Sequence, residues 1–582
     1  MTRAFAGIIA STGTASAPVH MRQAVEHVVR RSVTNAAAEQ TRLRSAIERS
    51  RRELEAAAVD LRKSGSEAAL VFDAHLLMHG DAMLVDAALA LIEEDKVCAE
   101  WAVRATVRTI KAPLESSSSA YLRERATDIE QVGNHIVREL RGERSPQPTT
   151  RCVVVADELS PAFAMELMAN KSDKHVVGVV TEGGSASSHT AILAAALGVP
   201  ALVGVSGITK ATRHGQEVLV DALRGQVVIE PSVQEKSEAL ERRRAHQLFS
   251  DALFARIGEP ARTLDGVDVS VAANIELPEE ASAAAESGAA GVGLYRTEFL
   301  FLARDTLPSE EEQFLAYRSV LAGADARVVF RALDIGGDKL PRSERLQVGP
   351  NPALGLRSIR LLLRRPKLLR TQVRGILRAA TLGPASLMFP LVTSVEDLQA
   401  AKALVASFRE ELEAEGVRCG PLPIGAMVEV PAAALQVSAL CAEAAFLSVG
   451  TNDLVQYTLA ADRGNPDMAK SASALHPAVI RLLALVAEES TVPVSVCGEM
   501  AGDPLAMPLL LGLGYRSLSV PPLRVPLVAE VVRRSEMSVL ERIATECRAA
   551  ATTEGVRAHL RGQLRASLGE LWSGANLLSG ND

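Results

Sequence analysis

From about residue 258 onward the chain repeats one unit, a short run rich in Val, Ile and Leu followed by a longer helix-like stretch. Candidate strands fall at 267–275, 291–296, 327–335, 387–392, 424–430, 446–452, 492–497 and 516–520, with helical segments between most of them. Eight strands over roughly 310 residues match a (β/α)8 barrel, whose catalytic groups sit at strand C-terminal ends. The polar residues of the pattern fall there: Arg296, Arg331, Glu429, Asn452-Asp453 and Cys497. Random placement would put as many in the helices, so the coincidence marks a candidate active site.

The first half has a different periodicity. Residues 1–20 are small and β-like, too few for a domain, and are expected to pair with strands found later. Between about 22 and 142 the pattern turns helical, with Leu43, Ile47, Leu54, Ala58 and Leu61 at three-to-four spacing. Further helices are expected over 68–77, 83–94, 98–110 and 120–140, with Gly65, Gly80 and Pro113 as punctuation. The segment reads as a helical hairpin or small bundle inserted into another domain. From Arg151, β-branched runs at 152–156, 175–181, 200–204, 217–221 and 226–229 alternate with short helices and predict a compact α/β domain. A charged helix over 231–257 serves as an inter-domain connector.

Composition removes several functional classes. At 582 residues the chain exceeds one core and suggests about three to four domains. Aromatics are only 3%, which argues against stacking platforms for bases or sugars, and the net charge of −7 gives no basic footprint for nucleic acid. No apolar run reaches the ~18 residues needed to span a bilayer. The N-terminal apolar stretch is too short for a secretory signal. Six scattered cysteines with no CxxC pair fit reduced thiols, and the expected compartment is the cytoplasm.

Two patterns carry chemistry. In Gly183-Gly184-Ser185-Ala186-Ser187-Ser188-His189-Thr190-Ala191-Ile192-Leu193, a glycine turn and small hydroxyl residues surround one histidine ahead of an apolar helix. A neutral imidazole can attack phosphorus, and backbone N–H groups at a helix start can hold the phosphate oxygens. The same pattern also serves an ordinary helix start. In the barrel, Glu429 and Asp453 end adjacent candidate strands and can share a hard divalent cation such as Mg²⁺. Arg296, Arg331 and Arg463 can grip phosphate and carboxylate bidentately, which points to a compact substrate with two or three negative charges. A salt bridge is the alternative for any single Arg–Glu pair. The Cys497 thiol, after an apolar strand and before a glycine, can protonate a carbanion or enolate, or serve as a small buried hydrophobe as Cys98, Cys441 and Cys547 do. His75 and His79 lie at i,i+4, but no carboxylate motif accompanies them, and a solvated or partner-facing surface is expected there.

These residues resemble enzyme I of the bacterial phosphoenolpyruvate-dependent sugar phosphotransferase system. The motifs are Gly183-Gly184 with Ser188-His189-Thr190-Ala191-Ile192 and Gly198-Val199-Pro200-Ala201, then Gly291-Val292-Gly293-Leu294-Tyr295-Arg296-Thr297-Glu298. They continue as Leu333-Asp334-Ile335-Gly336-Gly337-Asp338-Lys339, Asn351-Pro352-Ala353-Leu354-Gly355-Leu356-Arg357, Gly450-Thr451-Asn452-Asp453 and Cys497-Gly498-Glu499-Met500. Tyr121-Leu122-Arg123-Glu124-Arg125 is similar to the family's helical domain. The resemblance covers essentially the whole chain. It implies a multidomain α/β protein, with a phosphohistidine swivelling domain at 1–21 plus 143–230 and a helical carrier-binding domain at 22–142. A linker at 231–257 and a phosphoenolpyruvate-binding, dimerising TIM barrel at 258–582 complete it. It implies Mg²⁺ on Glu429 and Asp453, and phosphoenolpyruvate gripped by Arg296, Arg331, Asn452, Asp453 and Arg463. His189 would take the phosphoryl group on Nε2, Cys497 would protonate the enolate to pyruvate, and a histidine of a small phosphocarrier protein would receive the phosphate. A homodimer and a swivel of the connector follow from the same resemblance.

Two departures stand out. The stretch that is usually acidic in the family reads Met78-His79-Gly80-Asp81-Ala82-Met83-Leu84, and the family's Asp-Gly near the end of the phosphohistidine domain is Asp221-Ala222. An ATP-dependent dikinase or synthase with the same two domains would need some two hundred further residues, and no GxxxxGK[ST] loop is present. The same phosphorelay serving a regulatory branch rather than sugar import stays open.

Overall fold

The computed structural model describes residues 3–21, 28–63, 72, 75–76, 78–115, 120–142, 150–161, 163–164, 175–184, 191, 193–194, 198–301, 306–324, 326–337, 340, 344, 346, 351–462, 468 and 472–568. The expected helix over 68–77 falls mostly outside them, as do His189 and Arg463. Two compact units divide the chain, the first through Gln247 and the second from Leu248.

The first unit carries strands β1 (Arg3–Ala6), β2 (Ile8–Ser11), β3 (Thr14–Met21), β4 (Cys152–Ala156), β5 (Val176–Thr181), β6 (Ala201–Val203), β7 (Glu217–Asp221) and β8 (Gln226–Ile229). They form one sheet in the order β1-β8-β7-β3-β4-β5-β6-β2. The N-terminal strands do pair with later ones: β1 with β8, β2 with β6, and β3 with both β4 and β7. Only Gly7 separates β1 from β2, yet they close opposite ends of the order, so the sheet curls back on itself. A side chain at Gly7 would strike Val205 at 2.5 Å. All five residues of β4 are buried, with Cys152, Val154 and Ala156 in one core and Val153 and Val155 in the other. That is the two-residue alternation of a strand covered on both faces. The altered Asp221-Ala222 turn closes normally, because the left-handed position falls to Gly225 (φ 64°).

Among the described residues, four long helices, Ala36–Lys63, Ala82–Asp95, Ala99–Glu115 and Ala120–Arg141, form the helical part. Leu43, Ile47, Leu84, Ile92, Val103, Val107, Val132 and Ile136 build its core. Leu54 and Ala58 continue the same helical stripe into the core beneath the sheet. Two expectations fail here. Pro113 lies inside the Ala99–Glu115 helix rather than ending it. His75 and His79 are buried, not solvated, because polar partners meet them inside: Asp128 lies 3.6 Å from His75 Nε2, and Ser50 Oγ lies 2.7 Å from His79 Nε2.

The second unit is a closed, all-parallel eight-stranded barrel. Its strands are β9 (Ser270–Ile275), β10 (Val292–Arg296), β11 (Val328–Arg331), β12 (Ala385–Phe389), β13 (Ile424–Val428), β14 (Leu447–Val449), β15 (Val494–Val496) and β16 (Ser517–Val520). β16 pairs back onto β9 and completes the ring. Leu294, Val329, Met388, Met427, Phe446 and Cys497 form a separate buried cluster contributed by successive strands. Each expected strand exists, but most are shorter than the apolar runs suggested. β11 stops at Arg331 instead of 335, where the chain turns to bring Asp334 beside that arginine.

Candidate active site

Strand register sets the first two side chains. Arg296 and Arg331 are direct partners across the β10–β11 pair, so two guanidinium groups leave the barrel rim side by side. Arg296 Nη1 pairs with Glu276. Arg331 Nη2 reaches Glu298 at 3.0 Å and Nη1 reaches Asp334 at 3.2 Å. Burial works against the Arg331 charge, but Glu298, Asp334 and Glu429 raise its pKa further. The Nε atoms of both arginines are buried and donate to no group among the described residues. Buried donors are rarely left so, and two neighbouring ones point to an anionic acceptor.

Arg357 extends the network. Its Nη2 donates to Asp334 at 2.9 Å and lies 3.4 Å from Asp453, and its Nη1 lies 3.4 Å from the Tyr457 hydroxyl. Burial tends to raise the Asp334 pKa, yet Arg331 and Arg357 hold it down to about 2. Glu298, whose Oε1 accepts from the Asp334 N–H at 2.9 Å, is shifted upward by its burial. Glu429 directly follows β13 and is 2% exposed. Burial, then Asp334 and Asp453, push its pKa up to about 8. Three guanidinium groups therefore meet five carboxylates, those of Glu276, Glu298, Asp334, Glu429 and Asp453.

Backbone strain is concentrated here. Ser358 and Leu391 both hold φ 53°, a region that costs a non-glycine residue about 1–3 kcal/mol. Ser358 Oγ donates to Asp334, and the Leu391 N–H donates to Glu429. The strain positions the two central carboxylates.

Asn452 and Asp453 lie not on a strand, as expected, but in the first turn of the Thr451–Leu459 helix that follows β14. The chain turns at Gly450, where it passes Glu429 so closely that a Cβ would stand 2.9 Å from Glu429 Oε2. Asn452 donates to Glu499 Oε1 at 2.8 Å and accepts from the Glu499 N–H at 3.0 Å, joining the ends of β14 and β15. Cys497 follows β15, is 3% exposed, and donates to the Val449 carbonyl at 3.6 Å. Burial shifts its pKa upward, which keeps it a thiol with a proton to give. The next residue, Gly498, approaches so closely that a Cβ would lie 2.0 Å from Thr451 Oγ1 and 2.7 Å from Thr451 N. Gly498→Ala is expected to cost about 1–3 kcal/mol, read as a lower denaturant midpoint, while alanine at Gly562, inside the Thr553–Leu568 helix with nothing within 4 Å, should raise stability by about 0.5–1 kcal/mol.

The barrel mouth thus gathers Arg296, Arg331, Glu429, Asn452, Asp453 and Cys497. Glu298, Asp334 and Arg357 had no assigned role in the sequence reading. Their signal lay in the 333–339 and 351–357 motifs, where charged residues border glycines in loops beyond the strand. Before His189, β5 leads into Gly183, whose N–H donates to the Asp157 carbonyl at 2.8 Å, and Gly184 at φ 108°. The expected glycine turn is present. Beyond the 185–190 stretch, Ala191, Leu193 and Ala194 are helical and buried.

Comparison with known proteins agrees along the whole chain. Residues 6–125 match the N-terminal model of the PEP-utilising enzymes, 148–225 their mobile domain, and 254–537 their PEP-binding domain. The phosphoenolpyruvate-protein phosphotransferase of Geobacillus stearothermophilus is 38% identical over 525 residues, 88% of this chain and 90% of that protein. The one from Listeria monocytogenes is 37% identical over 571 residues, 96% of this chain and 98% of that protein. A solution structure of an Enzyme I protein covers 42% of this chain and 99% of its own at 28% identity, with a TM-score of 0.34. The chain belongs to the phosphoenolpyruvate-protein phosphotransferase family of PEP-utilising enzymes.

Proposed function

We propose that the protein moves the phosphoryl group of phosphoenolpyruvate to His189 and then to a histidine of a small phosphocarrier protein, releasing pyruvate. Membership of the family makes the chain a PEP-dependent transferase. The assignment of residues, metal and partner is our own reading. The observation that carries it is the adjacent pair Arg296 and Arg331, each with a buried Nε that no group among the described residues accepts. Phosphoenolpyruvate offers a phosphate and a carboxylate on a three-carbon frame, which suits two neighbouring guanidinium forks. Arg463, outside the described residues, and Asn452 would add donors to the same grip.

The donor set at the mouth fits a divalent cation. Carboxylate oxygens suit Mg²⁺, and the surplus of carboxylates over guanidiniums is the charge imbalance such an ion corrects. Glu429 and Asp453 would hold it, where it would neutralise phosphate charge. Asp453 would then exchange its Arg357 contact for the ion.

The chain's own groups account for the rest. Arg296 and Arg331 hold the substrate in place, and His189 Nε2 attacks phosphorus, forming the P–N bond as the P–O bond to the enol oxygen breaks and its electron pair stays on that oxygen. The departing enolate takes the Cys497 proton at carbon and becomes pyruvate, and the thiolate regains a proton from water. The helical part at 22–142 would receive the carrier; its 78–84 segment exposes Asp81 and Met83 rather than an acidic rim. The domain bounds 1–21 plus 143–230, 22–142, 231–257 and 258–582, a homodimer formed through the barrel, and a cytoplasmic location belong to the same proposal. None of the described helices is long and apolar enough to cross a membrane.

The test is stoichiometric. With Mg²⁺ and excess phosphoenolpyruvate, the protein alone should release about one pyruvate per chain and stop. Adding a histidine phosphocarrier should restart release until the carrier is consumed. No burst, or steady release without a carrier, would refute the reading.

A further inference from the structure

We propose a second anion site at the end of the barrel opposite the mouth, formed by Arg327, Ser270 and Ser517 and suited to a short organic carboxylate. A cavity of about 150 Å³ opens there between the starts of β9, β10, β11, β14, β15 and β16. All eight strands run parallel, so these starts lie a strand's length from Arg296, Arg331 and Cys497. Barrel interiors are usually filled by bulky branched side chains. Here β9 gives Ser270 and Ala272, β10 gives Gly291 and Gly293, and β16 gives Ser517 and Ser519. Three adjacent strands thus leave the lower layer of the barrel hollow.

The stronger argument is the state of Arg327 at the cavity rim. Its Nε donates to Ser386 Oγ at 3.0 Å, and its guanidinium carbon lies 4.8 Å from the centre of the Phe446 ring. That ring is itself held in place, packed where Gly425 leaves room: a Cβ there would meet it at 2.5 Å. The guanidinium is therefore fixed by a hydroxyl and an aromatic face, neither of which carries charge. No carboxylate among the described residues pairs with it, and partial desolvation alone lowers its pKa. The other arginines that line the barrel's two ends differ: Arg296, Arg331 and Arg516 each have a carboxylate within 4 Å.

Hydroxyl groups complete the donor set. Ser495 Oγ is committed to Ser448 Oγ at 2.9 Å, and Ser519 Oγ to Asn274 Oδ1 at 2.6 Å. Ser270 and Ser517 are direct partners across the β16–β9 pair, and their hydroxyls bond to no group among the described residues. With Nε taken, Arg327 has its two terminal nitrogens left, the fork that binds a carboxylate bidentately. The two free hydroxyls suit a second oxygen of the ligand, and Val292 and Val329 line an apolar wall beside them. A void of this volume takes about six non-hydrogen atoms. A short keto or hydroxy acid fits that description, and pyruvate is the natural probe. Phosphoenolpyruvate is too large.

Equilibrium dialysis of the concentrated full chain against labelled pyruvate with Mg²⁺ tests this. The mouth is the same in wild type and in variants of the opposite end, so the new site is read as a difference between them, however the mouth itself binds. Arg327→Met should weaken one class of pyruvate binding about 10- to 100-fold. Ser517→Val keeps the guanidinium but fills the hollow and removes a hydroxyl, and it should weaken the same class. Both variants should keep the wild-type initial rate of pyruvate release from phosphoenolpyruvate. If Arg327→Met fails to fold, Ser517→Val decides. Equal pyruvate binding by wild type and a folded variant would overturn the site, as would its occupation by inorganic phosphate but not by pyruvate.

Discussion

His189→Ala is expected to lower phosphoryl uptake from phosphoenolpyruvate by at least about 10⁴-fold, to background, with no change in folding. No neighbouring group replaces a nucleophile that must both accept and pass on the phosphate. Ser187, Ser188 and Thr190 can only form phosphate esters, which are too stable to hand on. The variant keeps the flanking turn at Gly184 and the buried apolar side chains of Ala191, Leu193 and Ala194. The variant should bind phosphoenolpyruvate as wild type does and release no pyruvate. Calorimetric binding paired with a pyruvate assay separates the two effects.

Arg331→Met should produce the next largest loss. Its guanidinium reaches Glu298 and Asp334 together and supports Glu429 at longer range. Truncating one partner of a buried, hydrogen-bonded charge pair in a binding site costs about 3–5 kcal/mol of binding free energy. At about 1.36 kcal/mol per decade, this corresponds to a fall of roughly 10²- to 10⁴-fold in kcat/KM for pyruvate formation. Arg331→Lys should recover little, since one ammonium cannot bridge two carboxylates and also present a planar face to substrate. If lysine restored most of the activity, the fork geometry argued for Arg331 would be wrong.

Much of this could be read in the sequence because the barrel expresses itself locally. Each strand is an apolar run, and a polar residue at its end is visible without tertiary information, as with Arg296, Glu429 and Cys497. What stayed hidden depends on distance. Asp334 and Arg357 are 23 residues apart yet share a hydrogen bond, and Arg357 reaches Asp453 across 96 more. No periodicity reports such a pairing. Strand lengths failed for a related reason: apolar residues such as Ile335 continue beyond β11 because the loop packs on the barrel. At Gly450 an expected strand end becomes a helix start, where the backbone passes Glu429 too closely for a side chain, a proximity that exists only in the folded chain. The buried histidines were misread because i,i+4 spacing says which face they share, not whether Ser50 and Asp128 wait there.

The central claim is that His189 carries the phosphate, and the chemistry of the label tests it most directly. After incubation with labelled phosphoenolpyruvate and Mg²⁺, trypsin releases the peptide 175–210, which holds two histidines, His175 and His189. The account predicts one label per chain on this peptide, lost in acid, stable in base, absent from His189→Ala and retained in His175→Ala. Label that survives acid, maps to another peptide, or persists in His189→Ala would contradict it.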